Sequence, residues 1–484
     1  MSEEADRQRL LTGQTEDGGQ NRRYGACECQ DINQDGPKTV FSAGVQPGLT
    51  EPAAPLTRRE QRLLGCLALV GLLSGSLLVV MIPFFPVEAA ARGLSQTTIS
   101  AVFSSYALAQ TAASPLVGRL APVVGVTRLY TLGLATAGVT TVVFGALRHI
   151  VDPRLFAAAC LAVRLVEAAG TAAVSGCALT IIASQFPTRT SRAIALVTAS
   201  QAVGMAAAPA IGSGLFALGG FSLPFYVTGA ALLLVASLNH WLMPVVERCH
   251  RPAVPYLSLW RVFARCPENW LCLLTVFHYS LVLLTFDTSV APYADRTLGV
   301  TPSTLGLYFT VATIAFALTA FVWARVAETS RRPHAFIGLG LLVVSASLLL
   351  APPSPLLVGL QPHWWLLGLG MTLMEAFFGG AYIPSFQLML AAGVGAGLAD
   401  DLISQAFVSG VLWTAHSLGS VVGPPLGGLV VDRYGFPVMM TGLSALVLVV
   451  AVMNLCYAGW VACRPTSANP SESNSAGERI QSKA

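Results

Sequence analysis

Residues 419–428 read GSVVGPPLGG, and residues 204–214 read GMAAAPAIGSG. Both stretches give Gly, four residues, Pro, two residues, Gly. The positions are Gly204, Pro209 and Gly212 in one and Gly419, Pro424 and Gly427 in the other, with Gly423 and Gly428 added in the second. The prolines stand 215 positions apart (424 − 209). Glycines four apart let a neighbouring helix approach closely, and a proline inside a span loosens its backbone ladder. Interrupted helices at matching places in two halves of an apolar chain are the pattern of a transporter built from repeats. Small residues are common at any membrane helix contact, so the pair draws its weight from the span count around it.

Of the 484 residues 54% are hydrophobic and only 11% charged, far from the quarter charged of a soluble domain. Apolar runs long enough to cross a bilayer lie at 63–86, 97–118, 128–147, 155–185, 193–217 and 223–245. They resume at 269–292, 303–327, 334–352, 363–392, 405–430 and 437–461. The polar segment ERCHRPAVPYLSLWRVFARCPE, residues 247–268, divides the twelve six and six. The expected organisation is a disordered cytosolic tail over 1–60, a six-helix bundle over 61–246 and a cytosolic central loop over 247–268. A second six-helix bundle over 269–462 and a disordered cytosolic tail over 463–484 complete it. The fold class is an all-α membrane protein of twelve transmembrane helices in two pseudo-symmetric halves.

With the N-terminus in the cytosol, the short cytosolic loops hold eleven arginines and the opposite loops five, which sets both termini cytosolic. The polar opening has no apolar core of the kind a cleavable leader needs. Within it DRQRLL sets Asp6 ahead of Leu10 and Leu11, an arrangement that resembles the acidic dileucine signal read by clathrin adaptors. That points to secretory vesicles or endolysosomes, with the plasma membrane as the alternative. The ten cysteines form no CxxC pair and no metal-ligand spacing, and HExxH and GxSxG are absent, so neither a metal, a cofactor nor an enzyme is expected. Lysine occurs only at Lys38 and Lys483, which offers no nucleic-acid surface. The partners expected are the lipid bilayer, a small organic cation, protons and an adaptor at the dileucine, with the chain a monomer.

From about residue 60 to 462 the chain resembles the major facilitator superfamily. GSVVGPPLGG fits that superfamily's glycine-proline antiporter motif, and the span-5 copy has Ala208 where glycine is usual. GRLAPVVGVTR, Gly118 to Arg128, keeps the Gly-x6-Gly frame of the superfamily's cytoplasmic signature. Pro122 replaces the aspartate of that signature, and with it the gating salt bridge the aspartate makes. IPFFPVEAAARGLSQTTIS, LTFDTSVAPY, GGAYIPSFQLML and VVGPPLGGLVVDRYGF resemble the vesicular amine transporter family. The span-1 aspartate and span-2 lysine of its monoamine and acetylcholine members fall on Ser74 and Tyr106, and Trp413 lies nearest the span-11 acid. These losses are closest in pattern to the vesicular polyamine transporter branch.

Charges inside the spans are few. An ionised side chain at a helix centre costs about 2.5–3.5 kcal/mol on insertion scales, so each needs a reason. In LAVRLVEAAG, Arg164 and Glu167 are three apart and share a helical face. The arginine is similar to the superfamily's second motif, linked to proton coupling, with Arg-x-x-Gln-Gly here Arg-x-x-Glu-Ala. The pair is read either as proton-sensitive or as an ion pair that locks span 4 to its neighbours. Asp287 stands where amine transporters place a span-7 acid, whereas their span-10 aspartate aligns with Gly379, one turn beyond Glu375. Glu167 and Glu375 are 208 apart (375 − 167), close to the repeat offset, and would flank one central site if both face a cavity. Tyr382, Phe377 and Trp413 add candidate cation–π faces. His278 and His416 are candidate titrating groups.

The resulting expectation is a secondary active transporter, a proton-coupled antiporter of polyamines or related amines working by alternating access. Its rivals are a facilitator or symporter of a different solute, an anion among them, and a transport-inactive scaffold or sensor.

Overall fold

The computed structural model describes residues 57–186, 189–242, 256–330, 332–357, 359–399 and 402–463. The dileucine residues Asp6, Leu10 and Leu11 lie outside them. The first half comprises α1 (Arg58–Val79), the short α2 (Phe85–Ala91), α3 (Gln96–Val124), α4 (Val126–Ala146), α5 (Pro153–Gln185), α6 (Thr190–Gly219) and α7 (Ser222–Leu242). After α8 (Tyr256–Ala264) come α9 (Pro267–Leu298), α10 (Pro302–Thr329), α11 (Pro333–Leu350), α12 (Trp364–Gly395), α13 (Leu402–Tyr434) and α14 (Phe436–Cys463).

Eleven of these helices are long and apolar enough to cross a membrane. The twelfth span is α3, whose 29 residues suffice in length but include Ser100, Ser104, Ser105, Gln110, Thr111 and Ser114. Ser100 and Ser104 are buried where α3 packs between α5 and α13. Lipid-facing surfaces elsewhere are openly apolar, as at Leu218, Phe321 and Leu234, and Trp241, Trp270 and Trp460 lie exposed near helix ends.

Helix ends are fixed by local chemistry. Thr57 and Glu60 form a reciprocal capping box, so α1 begins at Arg58, ahead of the apolar run at 63. It ends at Val79 rather than 86 because Pro83 and Pro86 break the ladder, and the chain restarts as α2. Ser95, Asp152 and Thr301 cap α3, α5 and α10, and Gly299 closes α9 with a left-handed φ of 64°. The segment 247–268, expected as a plain loop, contains the helix α8. Its Trp260 and Phe263 stack at 5.6 Å and both meet Phe407 edge-on, giving nine residues an apolar face to bury.

Packing repeats between the halves. α1 lies on α6 as α9 lies on α13; α3 on α5 as α10 on α12; α4 on α5 and α7 as α11 on α12 and α14. The glycine-proline helices make the closest approaches. A Cβ at Gly204 or Gly212 would strike the backbone of α1 at Leu72 or Val80, and one at Gly419 or Gly423 that of α9 at Phe277 or Leu281. Gly427 faces Thr285 in the same seam. Pro209 and Pro424 sit inside α6 and α13 without ending them.

The halves meet through α3 against α13 and α6 against α10. At the end where α1 closes and α3 begins, one apolar core runs unbroken from Phe84, Phe103 and Phe144 to Phe286, Leu305 and Phe436. Toward the opposite end the core splits, one cluster around Leu67, Tyr130 and Ile181 and another around Phe263, Val276 and Leu412. The halves are therefore sealed together at the first of these ends and keep separate cores at the other. Asp432 clasps the seal from α13 by accepting from Gln96 N at 2.8 Å, Thr97 N at 2.9 Å and Thr97 Oγ1 at 2.6 Å. These amides are orphan donors at the start of α3, where a carboxylate is welcome. Gly428 brings α13 against the backbone of Gln96 and Thr97, and Gln96 Nε2 donates to Thr288 O at 2.8 Å on α9.

Candidate transport pathway

In the first half, α5 carries the charges. Arg164 Nη1 donates to Glu167 Oε2 at 2.6 Å, and both side chains are 2% exposed. Thr141 on α4 hydrogen-bonds Glu167 Oε1 at 2.9 Å. The guanidinium lies 4.6 Å over the ring of Tyr106 on α3, and the Tyr106 and Thr171 hydroxyls are 2.9 Å apart. The pair thus joins α3, α4 and α5 inside one bundle, with Glu167 turned toward α4. Arg164 Nε and Nη2 have no hydrogen-bond partner. Ser74, at the place of the amine transporters' span-1 acid, is half-buried and donates to Gly71 O at 3.2 Å on its own helix.

The second half carries acids without a basic partner. Asp287 on α9 and Glu375 on α12 are half-buried and close enough for their charges to interact. Tyr279, two turns before Asp287 on the same face of α9, feels both charges. Its ring stands 5.2 Å from Phe378, 5.3 Å from Tyr382 and 5.9 Å from His416. Trp413 closes the group 5.2 Å from His416. Aromatic faces from α9, α12 and α13 therefore converge beside two carboxylates. Beyond Tyr382 lies a cavity of about 330 Å³ lined by Ile383, Phe386, Ser409, Leu412 and Trp413. Asp287 lies at the sealed end, next to the Thr288 that receives Gln96, and its Oδ1 is buried without a hydrogen-bond partner. Burying a carboxylate oxygen in this way is costly unless a proton or cation reaches it.

Glu167 and Glu375 stand on the repeat-related helices α5 and α12 but differ in surroundings: one is bound by an arginine and a threonine, the other opens beside aromatic rings. Phe377 turns from the aromatic group to meet Trp323 of α10 at 5.8 Å. His278 has Nδ1 2.8 Å from Leu274 O on its own helix. At Gly379, where the amine transporters place an aspartate, a Cβ would lie 3.3 Å from the Trp323 ring and 3.4 Å from Phe316, so any side chain there needs the indole to give by a few tenths of an ångström. Trp323 also donates to Ala376 O at 2.8 Å, fixing the indole over the Gly379–Gly380 step. Tyr279 and Trp323 escaped the sequence reading. The eight-residue spacing of Tyr279 from Asp287 was the available signal for the first; nothing local signals the second.

A Major Facilitator Superfamily model matches residues 66–295 and 272–482. The chain is 27% identical to the human "MFS-type transporter SLC18B1" over 421 residues, 86% of this chain and 89% of that protein. It is likewise 27% identical to the Rattus norvegicus protein of that name over 357 residues, 73% and 77% of the two chains. Among solved structures it is similar to a bacterial homolog of the human lysosomal transporter Spinster, inward-facing and unoccupied. The TM-score is 0.66 at 17% identity, covering 86% of this chain and all of that one. A structure of nucleoside transporter NupG matches with a TM-score of 0.61 at 14% identity, over 81% and 99%.

Proposed function

The chain belongs to the Major Facilitator Superfamily, and on that footing we propose that it exchanges small organic cations, polyamines or related amines, for protons by alternating access. One observation carries this reading. Among the described residues, Arg164, buried deep in its span, is neutralised by Glu167 at 2.6 Å, while Asp287 and Glu375 have aromatic rings beside them and no basic partner. The accessible polar surface is then negative. An ammonium group satisfies it through the carboxylates and through cation–π attraction to Tyr279 and Tyr382, each good ring contact adding about 0.5–2 kcal/mol. The same carboxylates can hold a proton in place of the amine, and each pH unit across the membrane supplies about 1.4 kcal/mol per proton. The stretches that resemble the vesicular amine transporter family, such as LTFDTSVAPY and GGAYIPSFQLML, support an amine cargo and a vesicle or endolysosomal membrane.

Alternating access follows from the seal. Turning the cavity to the other side requires Asp432 to leave the start of α3 while the cytosolic ends close. A second reading has one observation in its favour. The two unpartnered guanidinium donors of Arg164 suit an anionic solute. A proteoliposome screen with an acidic interior separates the two. Polyamine entry that dissipates the pH gradient supports the cation antiporter, and carboxylate flux without amine flux overturns it.

A further inference from the structure

Away from the central acids, the cytosolic end of the second bundle buries a histidine between two acceptors. His334, near the start of α11, is 5% exposed. Its Nδ1 lies 3.0 Å from Asn454 Oδ1 on α14, and its Nε2 lies 3.0 Å from Glu268 Oε1 at the start of α9. The amide of Asn454 is oriented by its other contacts, since Nδ2 donates to Val450 O at 3.0 Å and to Thr275 Oγ1 at 3.1 Å. Flipping it would set two oxygens face to face. Oδ1 therefore accepts, and Nδ1 of His334 carries a hydrogen.

That assignment decides the other nitrogen. If Nε2 were a bare lone pair it would face an ionised carboxylate, acceptor against acceptor. A hydrogen must lie between Nε2 and Oε1, either on an imidazolium or on a protonated carboxyl. The helix starts favour a negative Glu268, because the positive ends of α9 and α11 meet there.

We infer that His334 and Glu268 form a second proton-binding site, at the cytosolic end of the C-terminal bundle, whose single shared proton ties the start of α9 to α11 and α14. The groups facing His334 are Glu268 and, through Asn454, Thr275 from α9, and Asn454 and the Tyr457 ring at 4.9 Å from α14. On its own element the nearest charge is the exposed Arg332, and the carboxylate of α12, Glu375, belongs to the central group. Removing the proton leaves the lone pair of Nε2 against the carboxylate and loosens the clasp. α9 carries that change to both sides of the chain. Asn269 and Trp270 bind the last carbonyls of α8 at 2.9 Å each, and Tyr279 and Asp287 lie further along the same helix. A proton taken from the cytosol thus acts on the helix that bears the candidate solute site, whatever the solute.

The test counts protons on the full-length protein in detergent or nanodiscs, by potentiometric titration between about pH 5 and 8, the range in which an imidazole changes charge. His334→Asn, Glu268→Gln and the double variant should each exchange about one proton fewer than the wild type, the same one, because Asn lacks the imidazole and Gln lacks the carboxylate that shares the proton. Glu268→Gln is the variant less able to disturb folding, and it decides alone if His334→Asn does not fold. A wild-type count in Glu268→Gln, or a loss of two protons in the double variant, overturns the shared proton.

Discussion

The two halves repeat one packing scheme, yet they treat charge in opposite ways. The first half closes Arg164 on Glu167 and backs the pair with Thr141 and Tyr106, three helices joined around a neutral unit. The second half leaves Asp287 and Glu375 without a basic partner and surrounds them with Tyr279, Tyr382 and His416. Pseudo-symmetry therefore fixes where an intramembrane charge sits without fixing its task. A paired charge fastens helices; an unpaired one beside aromatic rings is available to a proton or a cation.

Five changes break or sharpen that contrast. Glu375→Gln should remove pH-driven uptake altogether while leaving the purified protein as stable as wild type, measured as uptake alongside a thermal melt. Glu167→Gln should do the reverse first and lower stability, because it strands a buried guanidinium, at a cost of about 3–5 kcal/mol. The apolar double variant Arg164→Met with Glu167→Leu should recover most of that loss in a denaturation series, if the pair is chiefly a fastener. Uptake that persists in this double variant confines proton handling to the second half. Tyr279→Leu should weaken amine binding by about 1–2 kcal/mol, roughly five- to thirtyfold in KM with little change in maximal rate. Asp432→Ala should have the smallest effect, about 0.5–2 kcal/mol as for a lost helix cap. It would be read as faster labelling of a cysteine at Thr288 by an impermeant reagent from the non-cytoplasmic side.

Much of this was legible in the sequence because it is written in local spacing. The twelve spans follow from run length, with α3 recognisable despite its serines, and the Arg164–Glu167 contact follows from three-residue spacing on one helix. The glycine-proline seams could be placed because both copies share a spacing, although their partners on α1 and α9 could not. What stayed hidden depends on how distant helices register. Asp432 reads as a terminal acid beside Arg433 until α3 is brought to it, and Glu268 and His334 are 66 positions apart. Gly379 reads as a lost acid from the sequence, and Trp323, arriving from α10, crowds its place at 3.3 Å. α8 was overlooked because nine residues are too few for a span and its apolar face is partly covered by Phe407 from α13.

The claim that the second half's acids exchange an amine for a proton meets its most direct test in one vesicle preparation. Purified protein is reconstituted with an acidic, pH-dye-loaded interior, and labelled polyamine entry and proton exit are recorded together. The account predicts that both proceed in a fixed ratio in the wild type and that both vanish in Glu375→Gln. Amine entry with no proton movement, or an unchanged ratio in Glu375→Gln, would contradict it.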